Sequence, residues 1–300
     1  MNIMEIMAFT DPVCTWCWGS EPVLRALEAS YGDALRIRPV MGGLVRDIRE
    51  FYDSANAIGG DPDVSNAQIV RHWLDASARH GMPVRADGFR LFSTDVVSTY
   101  PQNIAVKAAE LTDAARGGRF LRRIREASAA EARETGRRDV LIELADEVGL
   151  DVAAFILHLD DGSAERAFRE DLDTTRRYQV HGFPTFLLRY DGQELMLRGY
   201  KDLRAMQAVI ASMTRGELRS TTPASGDDDI VAFLRASGRA APVELATVFG
   251  WSGQEGEATL AALEAAGRIR YEATGNGGFW RAVADGAGCD AQAGLCALDA

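Results

Sequence analysis

Asp11-Pro12-Val13-Cys14-Thr15-Trp16-Cys17-Trp18-Gly19 holds two of the four cysteines of this chain, separated by two residues. A C-x-x-C pair can hold a metal, staple a fold or exchange a disulfide. Zinc is weakly supported, because a structural site needs four ligands. The only other cysteines, Cys289 and Cys296, form a C-x6-C pair at the far C-terminus. Stapling is unnecessary in a chain of 300 residues that is 47% hydrophobic and 26% charged, since such a composition buries a core without covalent help. Thiol–disulfide exchange, in which a thiolate attacks a sulfur of a disulfide, is the favoured chemistry, with no metal and no cofactor expected.

The flanking residues set the geometry. Residues 3–9 are an apolar run with the length of a buried strand, and Asp11-Pro12 ends it. After the pair, Trp18, Val23, Leu24 and Leu27 recur at helical spacing up to Tyr31-Gly32, and Pro22 is expected to kink this helix one turn in. The pair therefore sits at a strand-to-helix junction. Unpaired N–H groups and the dipole at a helix start favour an anion, so Cys14 is expected to be an exposed thiol of low pKa.

A second half follows far downstream. Gly182-Phe183-Pro184-Thr185 forms a loop, residues 186–190 a strand, Asp191-Gly192 a turn and residues 194–197 a second strand. Leu203, Met206, Val209, Ile210 and Met213 make a closing helical stripe. This is the β-β-α half of a thioredoxin-like fold, in which Phe183-Pro184 is the candidate cis bond facing the sulfurs. His181, three residues before Pro184, reads as an ordinary loop histidine, with action on a leaving thiol as the sharper alternative. Trp16 and Trp18 could line an apolar client groove, and Trp18 fits a core position equally well.

Between the halves lies a helix-rich stretch, and before it "LRIRPVMGGL" reads as strand two. With "DPVCTWCWG", "MGGL", the helical insert and "GFPT" together, the chain resembles the DsbA superfamily, and most of all its FrnE-like members, over about residues 2–213. The resemblance implies an α/β thioredoxin-like fold with an inserted helical domain and thiol–disulfide oxidoreductase activity. It makes Cys14 the attacking cysteine, Cys17 the resolving one and Pro184 the cis-proline. Trp16 and the proline loop, Phe183, Pro184 and Thr185, are the candidate client-binding residues. The divisions expected are residues 1–64 and 150–213 for the two thioredoxin-like parts and 65–149 for the insert.

Residues 214–226 are polar and rich in Pro, Gly and Ser, and read as a linker. Residues 227–285 then pattern as three helices and a hairpin, which resembles a small winged-helix domain, and residues 286–300 as a flexible tail. Cys289 and Cys296 in that tail are either incidental thiols or a second redox pair. Winged helices often bind DNA, but residues 227–285 contain five arginines, no lysine and nine acids, and the would-be recognition helix carries Glu255, Glu257 and Glu264. Such a surface repels phosphate. The chain as a whole has a formal net charge of -11, which argues against a hold on nucleic acid or anionic membrane.

The N-terminus has no secretion signal pattern and no stretch is apolar over a membrane's thickness, so a cytoplasmic location is expected. The partners expected are thiol- or disulfide-bearing client proteins or small thiols. Two other functions compete: a DsbA-like adaptor that presents clients to a protease, and a kappa-type glutathione transferase or related isomerase. The last normally has Ser where Cys14 stands, and the intact pair counts against it.

Overall fold

Strand β1, Met4–Thr10, is buried at every position but one, as expected of a strand covered on both faces. In the computed structural model, which describes residues 2–284, it is one of the two inner strands of a four-stranded sheet ordered β2-β1-β5-β6. β2 (Leu35–Met41) runs parallel to β1, and β5 (Thr185–Tyr190) pairs with its other edge antiparallel. β5 turns through Asp191 and Gly192, both at positive φ, into β6 (Gln193–Arg198). Between β1 and β2 run a single turn, α1 (Thr15–Trp18), and a longer helix, α2 (Glu21–Tyr31). The helix expected as one kinked element is thus two, and Pro22 falls in the first turn of α2, where its missing N–H costs nothing.

The insert begins with a short hairpin, β3 (Tyr52–Asp53) and β4 (Ile58–Gly59), followed by α3 (Pro62–His80), which Asp61 caps through the N–H groups of Asp63 and Val64. After an irregular stretch come α4 (Tyr100–Thr112), α5 (Ala114–Ala129), α6 (Arg138–Glu147), α7 (Val152–Asp160) and α8 (Ser163–Arg177). The helical body does not stop at Gly149. Phe155 and Phe168 share one core with Phe120 and Leu144, so α7 and α8 belong with the insert. Gly149, at φ +73°, turns the chain between α6 and α7.

Helix α9 (Leu203–Met213) closes the sheet, burying Met206 and Ile210 against Ile6, Leu27 and Leu188. Residues 214–226 are then pinned to it rather than free. Leu218 lies in the same core, Thr221 donates its N–H to the Ser30 carbonyl at 2.9 Å, and Glu217 accepts from the Tyr190 hydroxyl at 2.8 Å. A polar composition signals missing secondary structure, not missing contacts.

Beyond it stand α10 (Asp227–Ser237), α11 (Pro242–Phe249), α12 (Gly253–Ala265) and the hairpin β7 (Ile269–Thr274) and β8 (Gly277–Ala282). These elements pack onto the rest of the chain. Glu244 of α11, fully buried, receives both terminal nitrogens of Arg122 at 2.7 and 2.9 Å, and Arg25 of α2 at 3.2 Å. At the hairpin turn Asn276 exchanges backbone and side-chain hydrogen bonds with Val84 and donates to Ser77 Oγ at 3.0 Å. Phe279, 0% exposed, packs edge-on against Trp18.

Candidate active site

Cys14 and Cys17 lie where β1 hands over to α1. Asp11, buried just past the strand end, accepts four hydrogen bonds: from the N–H of Val13 (3.0 Å) and of Leu44 (2.7 Å), from Thr99 Oγ1 (3.1 Å) and from Asn103 Nδ2 (2.8 Å). It ties the loop before Cys14 to the chain after β2 and to the start of α4. Burial raises its pKa in spite of these donors. Nothing in the sequence beyond a strand-ending Asp-Pro signalled this role.

Cys14 is the N-cap of α1. Its sulfur accepts the Cys17 N–H at 3.2 Å and its thiol donates to the Phe183 carbonyl at 3.6 Å. The Phe183–Pro184 bond is cis, and the Pro184 carbonyl is held by the Gly199 N–H at 2.8 Å. Thr185 Oγ1 donates back to the Gly182 carbonyl at 2.8 Å, closing the loop. The two distant motifs therefore meet at one sulfur.

The expected exposed Cys14 is not found. Cys14 is 6% exposed and Cys17 2%. Burial pushes the Cys14 thiol well above its usual value, and the nearby Asp11 carboxylate adds to the effect. Burial also opposes a charge on Cys17, but a hydrogen bond from Cys14 and the Arg125 guanidinium outweigh it and draw Cys17 below the usual value. A one-turn helix is a weak source of positive field, and the cation that counts comes from elsewhere. Arg125, on α5 of the insert, is 4% exposed and donates to Glu21 and to Thr10 Oγ1 at the end of β1.

Trp16 is half-buried, its ring meeting those of Tyr200 and His80 at centroid distances of 5.9 Å and that of His72 at 6.5 Å. Trp18 is core: it is 1% exposed, donates from Nε1 to the Pro83 carbonyl at 3.0 Å and carries the Arg122 guanidinium 4.5 Å from its ring centroid. His181 is exposed on its loop. Cys289 and Cys296 lie outside the described residues.

His80 was not singled out from the sequence. Its ring lies against Gly19, where a Cβ would fall 2.4 Å from Cδ2, so only glycine fits there. Nδ1 accepts the Met82 N–H at 3.1 Å, and burial lowers the pKa to about 4. The ring is neutral at pH 7, with its proton on Nε2. Among the described residues no group of three or more His, Cys, Asp or Glu could hold a metal ion, and no helix is long and apolar enough to cross a membrane.

A reduced thiol pair held at a strand–helix junction, with one sulfur touching the carbonyl before a cis-proline, belongs to a recognisable architecture, and a thioredoxin family model matches residues 7–208. The chain belongs to the thioredoxin family. Its sheet, interrupted by helices, is of the DsbA-like kind. The cytosolic disulfide reductase DsbM from Pseudomonas aeruginosa is 26% identical and superposes with a TM-score of 0.52, over 77% of this chain and 97% of that one. A probable DsbA oxidoreductase from Streptomyces coelicolor, 18% identical, shares the fold with a TM-score of 0.54 over 74% and 93% of the two chains. By sequence, the chain is similar to the ClpXP adapter protein SpxH from Halalkalibacterium halodurans, at 29% identity over 284 residues, which cover 93% of this chain and 88% of the relative. SpxH from Bacillus subtilis is 26% identical over 286 residues, 93% and 89% of the two chains.

Proposed function

We propose that this protein is a cytoplasmic, FrnE-like thiol–disulfide oxidoreductase that acts on client proteins or small thiols through Cys14 and Cys17. The observation that carries this reading is the position of the Cys14 sulfur between the Cys17 N–H and the carbonyl preceding cis-Pro184. The half-buried Trp16 and Phe183 frame the approach, Thr185, 2% exposed, holds the loop from inside rather than meeting a client, and a client strand would lie beside the proline loop.

In the reduced pair Cys17 is drawn below and Cys14 held above the usual thiol value, so Cys17 ionises first while Cys14 keeps its proton. Moving that proton across the shared hydrogen bond makes Cys14 the thiolate. Its lone pair attacks one sulfur of a client disulfide, the client's other sulfur leaves as a thiolate and takes up a proton from solvent, and a mixed disulfide forms. Cys17 then loses its proton and attacks the Cys14 sulfur, the client leaves as its second thiolate, and the Cys14–Cys17 disulfide holds the oxidising equivalents. The client gains two electrons. A small-molecule thiol or another dithiol protein must reduce the pair again, and the reverse sequence oxidises a client.

The test is reduction of insulin disulfides by a thiol reductant, with wild type beside Cys14→Ser. A rate with wild type that Cys14→Ser abolishes supports the proposal, and equal rates sink it. A second reading, an adaptor that brings clients to a protease, is supported by the shared printed name of the curated relatives, eight of which match. In that reading the C-terminal elements serve as a protein contact, since their hairpin turn is already taken up by Ser77 and Val84. Client degradation that persists in a Cys14→Ser/Cys17→Ser variant, with no insulin reduction by wild type, would favour it.

A further inference from the structure

Behind the thiol pair runs a cleft of about 900 Å3, between the end of β1, helices α2 and α5, and the end of α10. Cys17, Thr10 and Pro184 form part of its wall. For a chain of net charge -11 the lining is unusual, with eight arginines and four glutamates.

Most of these arginines are neutralised in place. Arg25 and Arg122 share Glu21 and Glu244, Arg239 pairs with Glu126 and Glu131, and Arg123 with Glu131 and Glu147. Arg281 lies 3.0 Å from Glu272, and its Nε and the Arg123 Nη1 are, like the Arg125 Nε, buried without a hydrogen-bond acceptor. Two of the remaining positions matter here. Arg125 uses its terminal nitrogens on Glu21 and Thr10, but its Nε is buried with no acceptor. Arg119, one and a half turns earlier on the same helix, is exposed and makes no ion pair among the described residues.

A buried cationic N–H without an acceptor is costly, and natural structures normally supply one through protein, water or ligand. Here the guanidinium group that carries the donor belongs to a residue lining an open cleft whose volume suits a metabolite-sized ligand. Leu24, Phe186 and Phe233 add apolar surface between the charges, which suits an organic body better than a bare ion. We propose that this cleft binds a small organic polyanion bearing carboxylate or phosphate groups, with Arg119 engaging it at the mouth and the Arg125 Nε at the inner end. Because Cys17 shares that inner end, the bound anion competes with the Cys17 thiolate for the same guanidinium.

The test uses the full chain, reduced, at low ionic strength, with citrate and inorganic pyrophosphate as probes in calorimetric titration. Saturable binding of one equivalent per chain is expected for at least one probe. Binding of citrate alone assigns carboxylate chemistry, and of pyrophosphate alone phosphate chemistry. Arg119→Glu, at an exposed position that spares the fold, should weaken it by at least about tenfold, as reversal of a charge-assisted contact implies. A Cys14→Ser/Cys17→Ser variant should bind at least as tightly as wild type, because the competing Cys17 thiolate is gone, and this separates the site from the proposed redox activity. In wild type, the ultraviolet thiolate signal should fall as the probe saturates. Absence of saturable binding with both probes, or equal affinity in wild type and Arg119→Glu, overturns the proposal.

Discussion

The ring of Phe183 fills the space that a side chain at position 42 would need: a Cβ on Gly42 would fall 1.9 Å from its Cζ. Phe183 also presents the carbonyl that the Cys14 thiol meets. Gly42→Ala should therefore push the ring and its carbonyl away from the sulfur while costing about 1–3 kcal/mol, as overpacking does. The expected result is a folded variant with a lowered melting temperature and at least tenfold slower insulin reduction, measured side by side with wild type. An unchanged rate would separate the Phe183 loop from the sulfur chemistry.

The charge on Cys17 depends on the thiol of Cys14. Cys14→Ala removes that hydrogen bond and leaves burial opposed by Arg125 and by the weaker hydrogen bonds from Thr10 and the Asp11 backbone, so the Cys17 pKa should rise. The thiolate absorbance of the single-cysteine site, followed from pH 5 to 10, should then appear at higher pH than the first thiolate step of wild type. A step at unchanged pH means that the shared hydrogen bond does not set the charge.

His80 predicts an acid-labile fold. Its folded-state pKa of about 4 lies below the unfolded value of about 6.5, so between these two the unfolded chain binds the extra proton. Its contribution is complete above about pH 6.5 and is lost as pH falls toward 4, a difference of roughly 3 kcal/mol. Denaturant unfolding at pH 7 and pH 4.5 should show this loss, and His80→Gln should flatten the pH dependence in that window. An equal slope in both proteins would assign the acid sensitivity to other groups.

Glu244 is the sole buried acid that α11 offers to Arg25 and Arg122. Glu244→Gln leaves both guanidinium groups under-compensated, and losing one partner of such a network typically costs about 3–5 kcal/mol. Chemical denaturation should report a loss of that order. Limited proteolysis should cut first in residues 214–226 as the C-terminal elements loosen. Wild-type stability in this variant would show the network to be incidental.

The sulfur pair and the proline loop were legible because each is a local pattern whose spacing is fixed by adjoining elements. Asp11, His80 and Arg125 were not, because their importance lies in convergence. Arg125 reaches Thr10 across a sequence separation of more than a hundred residues, and neither side chain signals the other. The glycines show the limit well. Gly19 and Gly42 stand in motifs that were noticed, yet a glycine in a sequence shows only that a side chain is missing, and not that His80 or Phe183 fills the space. The division expected near residue 149 and the linker reading of residues 214–226 leave contacts out for a related reason: helical pattern and polar composition report on local backbone, whereas Phe155, Phe168 and Leu218 join distant cores.

The contact between Trp18 and Phe279 joins the two ends of the described chain. Trp18 directly follows Cys17, so part of the support for the thiol pair is made of residues that leave the ribosome long after the pair itself. During elongation the pair would stand on an incomplete core, its sulfurs more open to oxidants and to foreign thiols than in the finished protein. Closing so long a loop is slow compared with forming α4 to α8 from neighbouring segments. The chain therefore matures in two tempos, an early helical body and a later sealing of the sulfur site by α10 to α12 and the β7–β8 hairpin.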